Sequence, residues 1–263
     1  MKLRTALASA IAVALLAPVA ACSSSDSSSG ASGSASPSAT QTTLTVFAAA
    51  SLTKSYDQIG QQFEKAHPGV TVKFSYAGSQ SLVDQLDQGA PADVLATADT
   101  KTMDKAGKGS LVGPTKIYTS NLLTVITPPG NPGKVTGFND SLSSVKLVIC
   151  APAVPCGNAT KKLEKALDVT LRPVSEEQQV TDVRGKVESG EADAGIVYRT
   201  DAKVSGDKVD TIDIKGADKA VNLYPIAVTK NAKSPEVAQQ FVDYVTSDAG
   251  KKVLTANGFT PAS

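Results

Sequence analysis

The sequence predicts an α/β fold built as two lobes with a ligand cleft between them. Strand-like and helix-like segments alternate along the chain, which is typical of α/β folds with largely parallel sheets. The segments fall into two sets, and two strand-like segments connect the sets, one leaving and one returning. Two such connections predict paired hinges. The cleft between two lobes is the usual place for a small ligand.

The first set begins with the strand TLTVFAA, which is rich in Val, Phe and Thr. Leu52, Tyr56, Ile59 and Phe63 follow at helical spacing and predict an amphipathic helix. A second strand (VTVKFSYA), a short helix (SLVDQLDQG) and a third strand (ADVLATA) complete the set. The segment TSNLLTVITPPGNPG predicts a strand that leaves this lobe and ends at a turn rich in Pro and Gly.

The second set starts with the strand KLVICAP and continues with the helices NATKKLEKAL and DVRGKVESG and the strand AGIVYRTD. The segment VNLYPIAVTK predicts the returning strand. The chain closes helically, with Ser234 as an N-cap and Pro235 in the first turn. The predicted first lobe therefore comprises residues 43–124 and 224–263, and the second comprises residues 125–223.

The first residues of the chain predict an export signal. Lys2 and Arg4 precede an apolar run that is too short for a membrane-spanning helix. The run ends in LAPVAAC, which resembles a bacterial lipobox, in which Cys22 would receive the lipid; the alternative is a plain signal peptide cut after an Ala-x-Ala-like site. The next residues are nearly all Ser, Gly, Ala and Thr and predict a flexible tether. We expect a signal peptide over residues 1–21, a lipidated Cys22 with a tether over residues 22–42, and attachment to the outer face of the cytoplasmic membrane through the lipid only.

Charge and cysteine content narrow the classes of partner. Without Lys2 and Arg4 the chain has 24 basic residues against 25 acidic ones. It has no basic stripe, so nucleic acid is not an expected partner.

Cys150 and Cys156 lie in the short segment CAPAVPC, where an oxidising exterior would favour a disulfide; two free thiols are the alternative.

Strand-to-helix turns recur where a ligand could bind. In TVFAAASLT a strand runs into small residues and then into Ser51, which opens a helix. Unsatisfied N–H groups and the positive end of the helix dipole favour an anion at such a turn. Taken alone, Ser51 could be an ordinary N-cap. Similar turns occur at Gly78–Ser81, Val154–Asn158 and Thr181–Arg184, and their recurrence favours a shared anion site.

Six motifs in order resemble the periplasmic molybdate-binding proteins of ABC importers: TVFAAASLT, YAGSQSL, GAPADVLATAD, VPCGNATKKLEKAL, DVRGKVESGEADAGIVY and YPIAV. The resemblance covers residues 45–259. It implies a type II periplasmic-binding-protein fold whose lobes close on molybdate or tungstate. It also implies a monomer that docks on an ABC permease driven by an ATPase, without a cofactor and without direct coordination of a metal.

The resemblance also implies a set of site residues. The side-chain hydroxyl donors fall on Ser51, Ser79 and Tyr198, and the main-chain N–H donors fall on Cys156 and Val183. The family's loop can carry alanine where this chain has Cys156. Because the implied contact at that position is a main-chain N–H group, we expect the cysteine to be tolerated.

The chemistry of the ligand agrees with such donors. Molybdate is fully deprotonated at neutral pH, so its oxygens need donors and no acceptor. Phosphate keeps a proton and would favour a carboxylate; Asp93 and Asp182 lie near the loops, although each could instead cap a helix or hold a turn. Sulfate has the same charge and shape as molybdate but is smaller, so a binding protein for sulfate is the alternative.

Two further classes are weighed against a transport protein. An exported serine hydrolase would need a base near Ser51 or Ser79, and the single histidine, His67, lies in a turn where we expect it to be exposed. The sequence contains no GxSxG or HExxH motif, so we do not expect an enzyme. A lipoprotein that only senses or adheres would not need four donor-rich turns.

Overall fold

The computed structural model describes residues 41–262, in which two mixed β-sheets are covered by helices. The predicted signal peptide, Cys22 and most of the tether lie outside these residues. The strands are β1 (Thr42–Ala49), β2 (Val70–Ala77), β3 (Val94–Ala96), β4 (Lys116–Asn121), β5 (Leu123–Thr127), β6 (Leu147–Cys150), β7 (Ser175–Glu177), β8 (Ala194–Tyr198), β9 (Asp210–Ile212), β10 (Asn222–Val228) and β11 (Thr260–Pro261). The α-helices are α1 (Thr53–Ala66), α2 (Ser79–Asp87), α3 (Thr100–Lys108), α4 (Pro155–Leu167), α5 (Val180–Glu188), α6 (Arg199–Ser205), α7 (Pro235–Thr246) and α8 (Asp248–Ala256). Short 3-10 helices span Ala50–Leu52, Asp140–Ser144, Gly206–Lys208 and Ala217–Ala220.

The two sheets define two lobes. The first sheet has the order β11-β4-β10-β3-β1-β2 and the second has the order β7-β6-β8-β5-β9. The chain crosses from the first to the second between Asn121 and Leu123, and it returns between β9 and β10. This arrangement confirms the predicted α/β class. Leu123 and Thr124, which the sequence prediction assigned to the first lobe, belong to β5 of the second sheet, whereas Asn222 and Leu223 belong to β10 of the first.

The sheets are less parallel than the sequence predicts. The pairs β1–β2, β1–β3, β6–β7 and β6–β8 are parallel. Strand β10 is antiparallel to β3 and β4, and β5 is antiparallel to β8 and β9. Antiparallel strands thus flank both crossings. The chain leaves the first sheet at the end of β4 and comes back at the start of β10. Because β10 enters the sheet at the end where β4 leaves it, β10 runs antiparallel to its neighbours.

Helices bury both faces of the first sheet. Tyr56, Ile59 and Phe63 of α1 are fully buried, as their spacing predicts, and the ring of Phe63 packs edge-on against Phe241 of α7 at 5.2 Å. On the opposite face, Phe47 of β1 belongs to a cluster formed with α2 and α3. A sheet covered on both faces needs apolar residues on both sides of its strands, which explains the nearly continuous apolar run of β1.

Several elements differ from the sequence-based prediction. The single predicted strand in TSNLLTVITPPGNPG is two strands that break at Leu122, whose N–H donates to the Asn121 side chain at 3.0 Å. The predicted strand AGIVYRTD ends at Tyr198, and α6 begins at Arg199. Ser234 precedes α7, but its side chain does not cap that helix. Among residues 41–262, no helix is long and apolar enough to span a bilayer.

Candidate functional site: an anion cavity between the lobes

Three of the four predicted strand-to-helix turns line one small cavity between the two sheets, and Val180, just before the fourth turn, lines it as well. Residues from both lobes line it: Ala49, Ala50, Ser51, Ala77, Gly78, Ser79, Ala98, Val154, Pro155, Cys156, Val180 and Tyr198. Four of the five predicted ligand residues are therefore brought together. None of the lining residues is a lysine, an arginine or a carboxylate. The cavity thus presents neutral groups only.

The helices that begin at the cavity lack side-chain caps. No side chain caps the first turn of the 3-10 helix Ala50–Leu52, of α2, of α4 or of α5. Of the other helices, Asp99 caps α3 and Ser247 caps α8, whereas α6 and α7 also lack side-chain caps. The first N–H groups of a helix have no partner within the helix, so an uncapped start leaves them available. Several uncapped starts around one cavity form a site suited to an anion.

The two serine hydroxyls occupy different environments. Ser79 is buried, and its Oγ accepts a hydrogen bond from the Ala98 N–H at 3.0 Å, so its own proton remains available to another acceptor. Ser51 Oγ lies 2.9 Å from the hydroxyl oxygen of Tyr224. Neither serine acts as an ordinary N-cap. Tyr224, which opens the YPIAV motif, is not among the predicted site residues.

The hydroxyl of Tyr198 is the least satisfied polar group at the cavity. Tyr198 is 1 % exposed, and its hydroxyl oxygen has no hydrogen-bond partner. Burial, with added contributions from Tyr224, Asp99 and Asp201, raises the pKa of Tyr198 well above its usual range. The hydroxyl therefore keeps its proton at all physiological pH values. An unpaired buried donor on the wall of a cavity is suited to an acceptor ligand.

The α4 side of the cavity is held by a disulfide. Cys150, the last residue of β6, is bonded to Cys156 in the first turn of α4, with their Cα atoms 5.7 Å apart. A Cβ atom at Gly157 would overlap the carbonyl of Ala151, so only glycine permits this close approach of the helix to the loop. The Cys156 N–H is consequently held in place at the cavity wall.

We expect reduction of the Cys150–Cys156 disulfide to lower the free energy of unfolding by about 2 kcal/mol, because the bond closes a short loop in the unfolded chain. Urea unfolding with and without a dithiol reductant measures this difference. An anion contact made by a main-chain group should survive reduction with less than about tenfold loss of affinity. Identical unfolding curves for the oxidised and reduced protein would contradict the expectation.

Val183 is the one predicted ligand residue that does not line the cavity. Its side chain is fully buried, and it lies one turn inside α5, whereas Val180 at the start of that helix lines the cavity. At the start of α2, the carbonyl of the residue before the helix accepts a hydrogen bond from the fourth N–H group of the helix, that of Leu82. At the start of α4, the corresponding carbonyl accepts from the N–H of Asn158. At the start of α5, the cap carbonyl of Gln179 accepts the N–H of Asp182 at 3.2 Å.

The side chains considered for phosphate binding or catalysis are used elsewhere. Asp93 accepts hydrogen bonds from the backbone N–H groups of Thr45 and Lys233 at 2.7 Å each, so it holds a turn. Asp182 accepts from the side chain of Gln179 at 2.8 Å. His67 is half-buried rather than exposed because its ring stacks on Phe63 at 3.9 Å. Within residues 41–262, no group of three or more His, Cys, Asp or Glu side chains is arranged to hold a metal ion.

The lobes touch at the mouth of the cavity. The Gln80 side chain of α2 donates to the carbonyl of Gln178 in the second lobe at 2.9 Å. Gly78 lies against the same carbonyl, and a Cβ atom at Gly78 would overlap it. On another side, Asn158 Nδ2 lies 3.5 Å from Asp99 Oδ2. These contacts join the two sides of the cleft, so the structure has the lobes closed.

A buried carboxylate lies behind Tyr198. Asp201 is 2 % exposed, and burial raises its pKa to about 7, although the Arg184 guanidinium, 3.9 Å away, opposes this effect. The folded protein therefore binds a proton at Asp201 more tightly than the unfolded chain does. This tighter proton binding adds to the free energy of unfolding below about pH 4. The added free energy is lost as the pH rises towards 7.

We expect Asp201→Asn to remove this pH dependence. Between pH 4 and 7 the free energy of unfolding of the unsubstituted protein should fall relative to that of the variant by up to about 4 kcal/mol. Urea unfolding of both proteins at several pH values gives the difference. Parallel stability curves would show that Asp201 does not titrate in this range.

Comparison with known proteins places the chain in a family. The pattern described as bacterial extracellular solute-binding protein matches residues 44–260. The molybdate-binding protein ModA of Mycobacterium tuberculosis is 46% identical over 219 residues, which cover 82% of this chain and 84% of that protein. ModA of Haemophilus influenzae is 34% identical, with 82% and 89% covered. The solved periplasmic molybdate-binding protein of Azotobacter vinelandii is 21% identical and superposes with a TM-score of 0.72 over 84% of this chain and 100% of that chain, so it shares the predicted two-lobe fold. This chain belongs to the family of bacterial extracellular solute-binding proteins, which are binding proteins and not enzymes.

Proposed function

We propose that this protein captures molybdate outside the cytoplasm and delivers it to an ABC importer. The observation that carries the proposal is a cavity lined by hydrogen-bond donors and free of charged side chains. The relatives named as molybdate-binding proteins support the choice of ion. The proposed ligands are the hydroxyls of Ser51, Ser79 and Tyr198 and the N–H groups of Cys156 and Val183.

The donor set suits a fully deprotonated dianion. Each hydrogen bond from a neutral donor to a charged oxygen contributes about 1.5–3 kcal/mol, and five to seven of them give about 10 kcal/mol or more before the costs of ordering. Micromolar or tighter binding, about −8 kcal/mol, is therefore reasonable. Protonated phosphate would need an acceptor, and the carboxylates of Asp93 and Asp182 are used elsewhere.

Two observations support the least direct of these contacts, the one at Val183. The Gln179 carbonyl accepts from Asp182, so the start of α5 differs from the starts of α2 and α4. The neighbouring Val180 lines the cavity, so an ion there would face the first turns of α5. We infer that the Val183 N–H donates a hydrogen bond to the anion when the ion is bound.

Hinge closure is part of the proposal. The proposed ligands are divided between the sheets, with Ser51 and Ser79 on one side and Cys156, Val183 and Tyr198 on the other. The chain crosses between the sheets only near Leu122 and Val221 within the described residues, and these crossings can serve as hinges. Solution scattering should show a smaller radius of gyration with molybdate than without it. Identical curves would contradict closure.

Calorimetric titration of residues 42–263 with molybdate, tungstate, sulfate and phosphate at pH 7.5 tests the function directly. We expect one-to-one binding of molybdate and tungstate and no competition by millimolar sulfate or phosphate. Equal binding of sulfate would make sulfate the ligand, in line with the alternative weighed from the sequence. Absence of heat with all four ions would mean that the uncapped helix starts do not form an anion site.

The attachment and the assembly state are proposed from the sequence. We propose that Cys22 carries the lipid anchor, that the protein is a monomer and that tungstate binds comparably to molybdate. A Cys22→Ala variant expressed in a bacterial host should leave the membrane fraction and lose incorporation of a labelled fatty acid. A variant that stays membrane-bound would contradict the anchor.

A further inference from the structure

Tyr224 lies directly behind Ser51 and is completely buried. Its ring packs edge-on against Tyr198 at 6.0 Å and against Phe259 at 5.3 Å, and its hydroxyl is 2.9 Å from Ser51 Oγ. The pairing of β10 with β4 shifts register between Tyr224 and Pro225. Such an irregularity turns a side chain away from the direction that a regular strand would give it.

The number of protons decides which hydroxyl donates. Ser51 has one proton, and the oxygens of a deprotonated oxyanion can only accept. If Ser51 donates to the ion, its oxygen must accept the hydrogen bond from Tyr224. Burial raises the pKa of Tyr224 well above its usual range, so this phenol always has a proton to donate.

We propose that Tyr224 is a positioning residue that directs the proton of Ser51 at the bound oxyanion. Donation runs from Tyr224 to Ser51 and from Ser51 to the ion. The hydrogen bond from Tyr224 polarises the Ser51 hydroxyl, which strengthens its bond to the ion. The inference rests on the proposed function because it takes Ser51 as a ligand of the anion.

A double-mutant cycle with Tyr224→Phe and Ser51→Ala tests the proposal through the calorimetric Kd for molybdate. We expect Tyr224→Phe to raise the Kd about fivefold in the unsubstituted protein, the effect of one ordinary hydrogen bond. In the Ser51→Ala background the same substitution should change the Kd by less than about twofold, because the partner is already missing. A merely structural role would not produce this coupling.

Tyr118→Phe is the matched control. Tyr118 is also buried in the first sheet, and its hydroxyl is 2.7 Å from that of Tyr56, away from the lining of the cavity. It should lower thermal stability as Tyr224→Phe does and leave the Kd unchanged. Equal effects of Tyr224→Phe in both backgrounds, or no effect in either, would overturn the positioning role alone. If Ser51→Ala itself leaves the Kd unchanged, both the proposed site and this inference fail.

Discussion

Ser79→Ala is expected to raise the Kd for molybdate by about 10- to 150-fold, the loss of one hydrogen bond to a charged group. The substitution removes the hydroxyl donor and also the oxygen that accepts the Ala98 N–H at 3.0 Å. A buried N–H group without a partner costs about 1–3 kcal/mol, so the free protein should also lose stability. Calorimetric titration measures the first effect and urea unfolding the second.

Ser55→Ala is the control for this substitution. Ser55 is a buried serine of α1 that does not line the cavity, so its loss should leave the Kd unchanged. Binding by the Ser79→Ala variant as tight as that of the unsubstituted protein would remove Ser79 from the ligand set. A loss of stability without a loss of affinity would make its hydroxyl a structural partner of Ala98 only.

Gly78→Ala should weaken molybdate binding by at least about a hundredfold while leaving the fold intact. The backbone at Gly78, φ −58° and ψ 137°, is open to any residue. Within the first lobe, a Cβ atom there would come within 2.6 Å only of the flexible end of the Gln80 side chain, which can shift. The same Cβ atom would overlap the carbonyl of Gln178 in the second lobe. The lobes must then stay farther apart, and hydrogen bonds from the second lobe lengthen beyond their useful range.

Gly185→Ala provides a matched glycine in α5. A Cβ atom there meets no atom within 4 Å, so alanine should bind molybdate normally and stabilise the helix by up to about 1 kcal/mol. Solution scattering should show that Gly78→Ala stays open at saturating molybdate, whereas Gly185→Ala closes. Unchanged affinity in Gly78→Ala would show that contact between the lobes at Gln178 is not needed for binding.

Helices with a clear apolar stripe could be predicted from the sequence, and those without one could not. The spacing of Tyr56, Ile59 and Phe63 predicted α1, because residues three or four apart share one face of a helix. The polar helix α3 buries mainly Met103 and Ala106, so its apolar stripe is too short to recognise. Short edge strands such as β7 and β9 have no alternating pattern of their own and depend on the sheets that they join.

For the candidate site, too, some features could be predicted from the sequence and others could not. The sequence by itself determined which turns are rich in donors. The resemblance of ordered motifs to a family selected five residues, of which Ser51, Ser79, Cys156 and Tyr198 line one cavity and Val183 does not. Only the tertiary structure decided that the Tyr198 hydroxyl is unpaired, that Gly78 touches Gln178 and that Tyr224 reaches Ser51. Periodicity reports neighbours within a few residues, whereas Ser51 and Tyr224 are 173 positions apart. Which of two distant side chains meet depends on how the sheets pack and on where the chain crosses between them.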